Sequence, residues 1–235
     1  MQQFLGKEYK ISLYYRKYEG KTKMKEKVKE FIVKNLKWII LFICLIGFLA
    51  LAKDVFHKEI MNGDIIGYKL ISTFLISDFA TPIAKFITNF GGAIFLAILT
   101  IVLFILIKNK KIGVSIFSNL VIITALNQLL KNILQRPRPT EYRIIEETGY
   151  SFPSGHSMIS MAFYGYLIYL IYKYVKNKYV KWISMALLSL LICSIGISRI
   201  YLGVHYTSDV LGGFLISISY LVIYISAVNK FLIEK

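Results

Sequence analysis

Three short clusters in this chain hold residue types that together can handle a phosphoryl group. Lys131 stands seven positions before Arg138-Pro139, Pro153-Ser154-Gly155-His156 follows, and Ser198-Arg199 leads to His205 and then Asp209. Lys131, Arg138 and Arg199 carry positive charge at neutral pH. Converging on one point, they would bind a phosphoryl group and stabilise charge that spreads over its oxygens. Any one of them alone reads as a flanking charge that snorkels to a membrane surface. A Ser154-Gly155 turn opening a helix would present backbone N–H groups at the positive end of the helix dipole, a ready anion site. Glycine there lets the backbone come close to the ligand. His205 and Asp209 are spaced i, i+4 and so share one face of a helix. A carboxylate so placed can hold the imidazole tautomer and leave the other ring nitrogen free to attack. An isolated pair of this kind would read as a surface or capping interaction. His156, at a helix start beside the anion site, suits a proton donor to a leaving oxygen. The third histidine, His57, matches no cluster and reads as an interfacial residue.

The elements that must position these groups are helices crossing a membrane. The 235 residues are 56% hydrophobic, and the apolar residues are gathered into runs. A run of about 18 or more apolar residues is long enough to span a bilayer as a helix. Six spans are expected, from about Leu36 to Ala52, Pro82 to Ile107, Ile112 to Leu134, Ser154 to Val175, Val180 to Ile197 and His205 to Val228. Gly91-Gly92 falls near the start of the second. Residues 54–80 mix Asp54, His57, Lys58, Glu59, Asp64, Lys69 and Asp78 with Ile, Leu, Phe and Tyr, which predicts an amphipathic helix lying at the outer interface. The fold class is therefore all-α, a polytopic six-helix membrane bundle with an interfacial helix between the first two spans. Residues 1–37 form a basic tail, and 38–235 form one membrane domain. Ala50-Leu51-Ala52 resembles a signal-peptidase site, but the basic region before it is longer than that of a usual signal peptide, so the first span is read as retained. Cys44 and Cys193 each sit in an apolar run and read as small buried hydrophobes.

A net charge of +16 invites a nucleic-acid reading. Nucleic-acid binders place their basic residues on a folded soluble face, whereas here they lie between the apolar runs. With six spans both termini share one side, and that side holds 20 of the 29 Lys and Arg residues. Cytoplasmic loops are enriched in these residues, so the termini are expected in the cytoplasm and the three clusters on the outer face. Trp38 and Trp182, each following a lysine, suit interfacial anchors. Attraction to anionic lipid is enough to explain the Lys-rich tail.

The pattern Lys-x6-Arg-Pro, Pro-Ser-Gly-His and Ser-Arg-x5-His-x3-Asp resembles the three-part signature of the type 2 phosphatidic acid phosphatase and vanadium haloperoxidase superfamily. Eleven fixed residues appear in order between 131 and 209. The resemblance implies that His205 is a nucleophile forming a phosphohistidine, that Asp209 orients it, and that His156 is the general acid. It also implies that Lys131, Arg138, Ser154, Gly155 and Arg199 hold the phosphate. Arg136-Pro137-Arg138-Pro139 contains two Arg-Pro pairs. The family spacing selects Arg138 and leaves Arg136 as a second substrate contact or a surface charge. Ser198 is expected to be structural.

No Gly-x4-Gly-Lys-Ser/Thr loop, His-Glu-x-x-His motif or carboxylate cluster of a two-metal site occurs in the sequence. The expected mechanism uses no metal and no cofactor, with the cations doing the metal's electrostatic work. The expected partners are the bilayer and a lipid phosphate or pyrophosphate. An outward-facing site and six spans look most like the bacterial members of the family. That places undecaprenyl pyrophosphate first, with phosphatidylglycerophosphate and phosphatidic acid after it. Two other readings are a vanadate-dependent haloperoxidase, which the spans oppose, and a non-enzymatic lipid carrier or flippase, which would make no use of His205, His156 and Asp209 at their spacing.

Overall fold

The computed structural model describes residues 2–57 and 61–233, with side chains from 25 to 57 and from 61 to 232. The side chains of the basic tail over 1–24, and Lys58 and Glu59 of the expected interfacial helix, lie outside the described residues. Among the described residues every regular element is helical. They are α1 (Gln2–Phe56), α2 (Asn62–Phe74), α3 (Ala80–Asn89), α4 (Ala93–Leu106), α5 (Lys110–Leu134), α6 (Gly155–Tyr174), α7 (Lys178–Tyr201) and α8 (Thr207–Val228), with a closing π-helical turn, Asn229–Ile233. The chain divides into two compact units, Met1–Ile40 and Leu41–Lys235. The first consists of the N-terminal stretch of α1. The second holds the site and everything that positions it.

Four helices are long and apolar enough to cross a membrane: Lys25–Phe56, Lys110–Leu134, Lys178–Tyr201 and Thr207–Leu232. The expected second span is broken into α3 and α4, which meet at an angle of 50° and count as a fifth crossing if the pair is one span. The break falls at Gly91-Gly92. α6 is less apolar than the others because His156, two serines and five tyrosines dilute its Leu, Ile, Met and Phe. The serines and the first two tyrosines face protein, whereas Tyr172 and Tyr174 near the end of the helix are exposed. α6 packs against α5, α7 and α8, and Ser157, Ser160, Tyr164 and Tyr166 on it are buried.

The main core joins Leu96, Ile116, Phe163, Tyr166, Ile195 and Leu221 across α4 to α8. Hydroxyl and amide groups tie the helices where no water competes. Tyr166 donates to Ser115 Oγ at 2.7 Å, Asn119 Nδ2 to the Ala162 carbonyl at 3.1 Å, and Ser217 Oγ to the Met158 carbonyl at 2.7 Å. Large apolar side chains on α1, α4 and α7, among them Phe42, Ile94, Ile98, Ile183 and Leu187, are exposed. Exposed apolar area on that scale marks a surface made for another apolar phase. Cys44 is buried as expected, but Cys193 is exposed on α7. An apolar run predicts an apolar environment, and lipid-facing and core-facing helix positions have the same composition.

The helix expected over 54–80 is shorter. α1 continues to Phe56, α2 occupies 62–74, and a nonhelical stretch precedes α3. Ile65, Ile66, Leu70 and Phe74 of α2 are exposed, while Asp64 is buried. α5 ends where α6 begins its return, and α7 ends where α8 begins its own. This antiparallel order brings Lys131, His156, Arg199 and Asp209 to the same end of the bundle.

Candidate active site

The His205–Asp209 pair forms where the chain turns from α7 into α8. Gly203 makes the turn at φ +70°, and a Cβ on it would lie 2.3 Å from the Tyr142 carbonyl oxygen, so only glycine fits. Asp209 occupies the third position of α8. Its Oδ2 accepts the Tyr206 N–H at 2.9 Å, capping the helix, and lies 3.3 Å from His205 Nδ1. The opposite nitrogen, His205 Nε2, is 3.0 Å from Arg138 Nη1. Both side chains are buried.

Arg138 is held by its surroundings in a fixed direction. Its Nε donates to the Gly149 carbonyl at 3.0 Å, Nη2 to Thr148 at 3.0 Å and Nη1 to Val204 at 3.0 Å. Arg199, 1% exposed, reaches Thr88 Oγ1 of α3 at 2.8 Å through Nη1. Its Nη2 meets Glu147 Oε1 at 2.5 Å, and its Nε, also buried, has no acceptor among the described residues. Lys131 Nζ donates to the Tyr150 carbonyl at 2.6 Å and stands close enough to interact electrostatically with Arg138, Arg199, Glu147 and Asp209. His156 has Arg199, His205, Arg138 and Lys131 as its charged or titratable neighbours. Ser154 caps α6, its Oγ accepting from the Ser157 N–H at 3.4 Å and from the Ser157 hydroxyl at 3.0 Å, and its own N–H donates to the Asp209 carbonyl at 3.0 Å. The Gly155 and His156 amides are therefore the first-turn donors without an intrahelical acceptor. A Cβ on Gly155 would come within 3.1 Å of Asn127 Oδ1. All eight site residues read from the sequence gather in this one region.

Two residues that the sequence did not single out complete it. The Glu147 carboxylate bridges Arg199 and, at 3.9 Å, Arg138. Burial pushes its carboxyl up, but the charges and hydrogen bond of the two arginines outweigh that and hold it below the usual carboxylate range. Its neighbour Glu146 is exposed, and nothing in the spacing separates the two. Asp64 of α2 is the second. Arg136, expected as a second substrate contact or a surface charge, is buried, so it is not a surface charge. Its Nη2 pairs with Asp64 at 2.8 Å and its Nη1 with Asp209 Oδ1 at 2.7 Å. Ser198 is buried and donates to the Ile195 carbonyl at 2.6 Å, a helix-internal bond. His57 is exposed. A cavity of about 680 Å³ lies beside the cluster, lined by Tyr68, Lys69, Tyr142, His205 and Tyr206 among others.

Burial pushes the His205 imidazole down to about 4, against the hydrogen bond and charge of Asp209, which pull it up. An unperturbed imidazole titrates near 6.5. Between these values the unfolded chain takes up a proton that the native one refuses. The stabilisation is therefore fully present above about pH 6.5 and is lost as pH falls toward 4, by roughly 3 kcal/mol. Thermal melting in detergent should show a steeper loss over that window for wild type than for His205→Gln. Parallel curves would mean that His205 is not buried neutral.

Comparison with known proteins bears on what this cluster belongs to. The PAP2 superfamily profile matches residues 94–233, which include all eight site residues read from the sequence. Phosphatidylglycerophosphatase B of Bacillus subtilis (strain 168) is 41% identical over 93 residues, 38% of this chain and 44% of that protein, so the chain spans less than half of that relative's length in the alignment. Undecaprenyl-diphosphatase of Sulfolobus acidocaldarius is 26% identical over 193 residues, 78% of this chain and 86% of its own. Among solved structures, the first transmembrane PAP2 type phosphatidylglycerolphosphate phosphatase from Bacillus subtilis superposes with a TM-score of 0.70 at 26% identity, covering 81% of this chain and 96% of that one. Aquifex aeolicus LpxE gives a TM-score of 0.56 at 26% identity over 68% of this chain and 92% of its own. A profile matching more than half of the chain, over the helices that carry the three clusters, means that this protein belongs to the PAP2 superfamily.

Proposed function

We propose that the protein is an integral membrane phosphatase that hydrolyses a lipid phosphate or pyrophosphate through a phosphohistidine, without a metal. The observation that carries this reading is the orientation of His205. Nδ1 faces the Asp209 carboxylate, and Nε2 faces Arg138. With the proton on Nδ1, Nε2 carries a lone pair, which accepts from Arg138 Nη1 here and attacks once the phosphoryl oxygens take that N–H. Arg138, Arg199 and Lys131, with the first-turn amides of α6, hold the phosphoryl oxygens, which replace the Glu147 carboxylate on the guanidinium groups. Arg199 Nε is a further donor for them.

His205 Nε2 attacks phosphorus as the bond to the leaving oxygen breaks, and His156 gives that oxygen its proton. Water then attacks the phosphohistidine. Its proton goes to His156, the N–P bond breaks, and phosphate leaves. The two steps replace one hydrolysis with a very high barrier. The fixed cations stabilise the charge of each transition state without reorganising.

Six crossings (α1, the α3–α4 pair, α5, α6, α7 and α8) put both termini in the cytoplasm, as the charge distribution favours. The site is then on the outer face and α2 lies at the interface beside it. The relatives' names support two substrates, undecaprenyl pyrophosphate and phosphatidylglycerophosphate, with the lipid tail lying between the spans. The test is phosphate release by purified protein in detergent with chelator present, from undecaprenyl pyrophosphate, phosphatidylglycerophosphate and phosphatidic acid. Release that survives chelation is expected, and the ranking of rates names the substrate. Lipid binding with no release would identify a carrier instead, and bromide oxidation in the presence of vanadate would identify a haloperoxidase.

A further inference from the structure

The helix between the first span and the α3–α4 pair contributes one buried side chain, and it is an acid. Asp64 is 3% exposed although its neighbours Ile65 and Ile66 are exposed at 59% and 58%. A carboxylate is rarely buried unless it is paired, and Asp64 is paired twice. Oδ2 takes Arg136 Nη2 at 2.8 Å. Oδ1 accepts the Ser208 N–H at 2.8 Å, one of the first-turn amides of α8 that has no partner within its own helix. Arg136 in turn donates from Nη1 to Ser208 Oγ at 2.7 Å and to Asp209 Oδ1 at 2.7 Å. Its guanidinium carbon lies 4.1 Å from the centre of the Tyr206 ring. The close approach of α2 to α8 depends on Gly67, one turn after Asp64. A Cβ there would lie 2.1 Å from Thr207 Oγ1. Asp64 and Gly67 both precede the stretch that the superfamily profile matches.

We infer that Asp64 and Arg136 are a positioning pair, through which α2 fixes the direction and charge of Asp209 and so sets the proton affinity and orientation of His205. Asp209 has two oxygens and two tasks. Oδ2 serves His205 and the α8 cap, and Oδ1 is clamped by Arg136. Without the clamp the carboxylate can rotate about χ2 and the hydrogen bond to Nδ1 loses its direction. The clamp is also electrostatic. Arg136 offsets part of the negative charge of Asp209 and weakens its pull on a proton at His205, while Asp64 offsets part of the positive charge of Arg136. The other charged or titratable groups facing His205 are Arg138 and Glu147 from the α5–α6 loop, Arg199 from α7 and His156 from α6. They are common to every variant compared below.

The two members of the pair therefore act on His205 with opposite sign. Arg136→Gln exposes His205 to the full charge of Asp209 and should raise its pKa. Asp64→Asn leaves Arg136 less compensated and should lower it. A role confined to folding predicts no such opposition. The inference rests on the reading of His205 as nucleophile for its catalytic meaning, but the titration needs no substrate. Imidazole resonances of histidine-labelled protein in detergent, assigned with His57→Gln, His156→Gln and His205→Gln, would be followed against pH in wild type and both variants. Shifts of the His205 midpoint by about one pH unit in opposite directions are expected, since one unit is the scale of a nearby charge. Shifts in the same direction, or none in protein that melts like wild type, would overturn the inference.

Phosphate release from phosphatidylglycerophosphate micelles gives the second measurement. Arg136→Lys keeps the charge but loses the planar fork that holds the two carboxylates in fixed directions. It and Asp64→Asn should each lower kcat by about tenfold to a hundredfold, the usual scale for a residue that orients a functional histidine through its partner, with KM little changed. A rise in KM at constant kcat would make the pair a substrate contact and reject the positioning role. Wild-type protein that releases no phosphate from any lipid would count against the proposed function alone, with the titration still deciding whether the pair governs His205.

Discussion

Replacing His205 by alanine is expected to reduce phosphate release from every lipid by on the order of 10^4-fold or more, the scale seen when an attacking group or its base is removed from a catalytic unit. The reason is geometric. Among the described residues, His205 is the one nucleophilic side chain that combines a carboxylate at one ring nitrogen with an arginine, Arg138, at the other. Nothing nearby can replace it, because His156 lacks a carboxylate partner. The fold should survive, since the ring contributes one bond to Arg138, which keeps four others to backbone carbonyls. Phosphate release and thermal melting measured on the same preparation separate the two effects. A well-folded His205→Ala protein with wild-type turnover would remove the phosphohistidine from the mechanism. Acid-labile, base-stable phosphate trapped on wild type during turnover, and missing from the variant, would be its direct sign.

Asp209→Asn is expected to be nearly as costly for activity and far more costly for stability. The amide cannot accept from Nδ1 with the strength of a carboxylate. It can also turn its NH2 toward the ring, which favours the tautomer with its proton on Nε2, the wrong one for attack. In a comparable orienting aspartate the same change costs about 10^4 in kcat. The same substitution takes a charge from a buried cluster in which Arg136 lies between two acids. Removing the partner of a buried charge costs about 3–5 kcal/mol when nothing else compensates it, and because Asp64 stays on Arg136 the loss here should fall at or below the lower end of that range. Reduced kcat at near-normal KM, together with a lower melting temperature, is the expected result. If activity is lost while stability is kept, Asp64 alone is enough to compensate Arg136. Full activity would leave His205 without need of an orienting group.

Much of this protein is legible along the chain because its information is local. Apolar runs of span length imply helices, since backbone groups in lipid must be satisfied within the segment. The i, i+4 spacing of His205 and Asp209 keeps the two close along the chain, but His205 precedes Tyr206, the N-cap of α8, so the pair meets across the capping turn and not along a helix face. Ser154 before a helix start is a cap by its chemistry. The three clusters also indicate a common destination, because three cations and two histidines have one economical use together.

The partners of each charge were decided elsewhere. Arg136 meets Asp64 and Asp209 across 72 and 73 residues, and local periodicity carries no trace of such a pairing. Only the docking of α2 against the start of α8 makes Asp64 a buried acid instead of one more polar residue of an amphipathic segment. Glu147 is drawn inward and Glu146 outward by the path of the α5–α6 loop, though the two are chemically identical and adjacent. Cys193 and the Tyr-rich α6 show the same limit for apolar sequence. A helix can bury its apolar residues against protein or expose them to lipid, and the two phases select the same side chains. Composition therefore determines that a helix forms, and packing determines which of its faces looks inward.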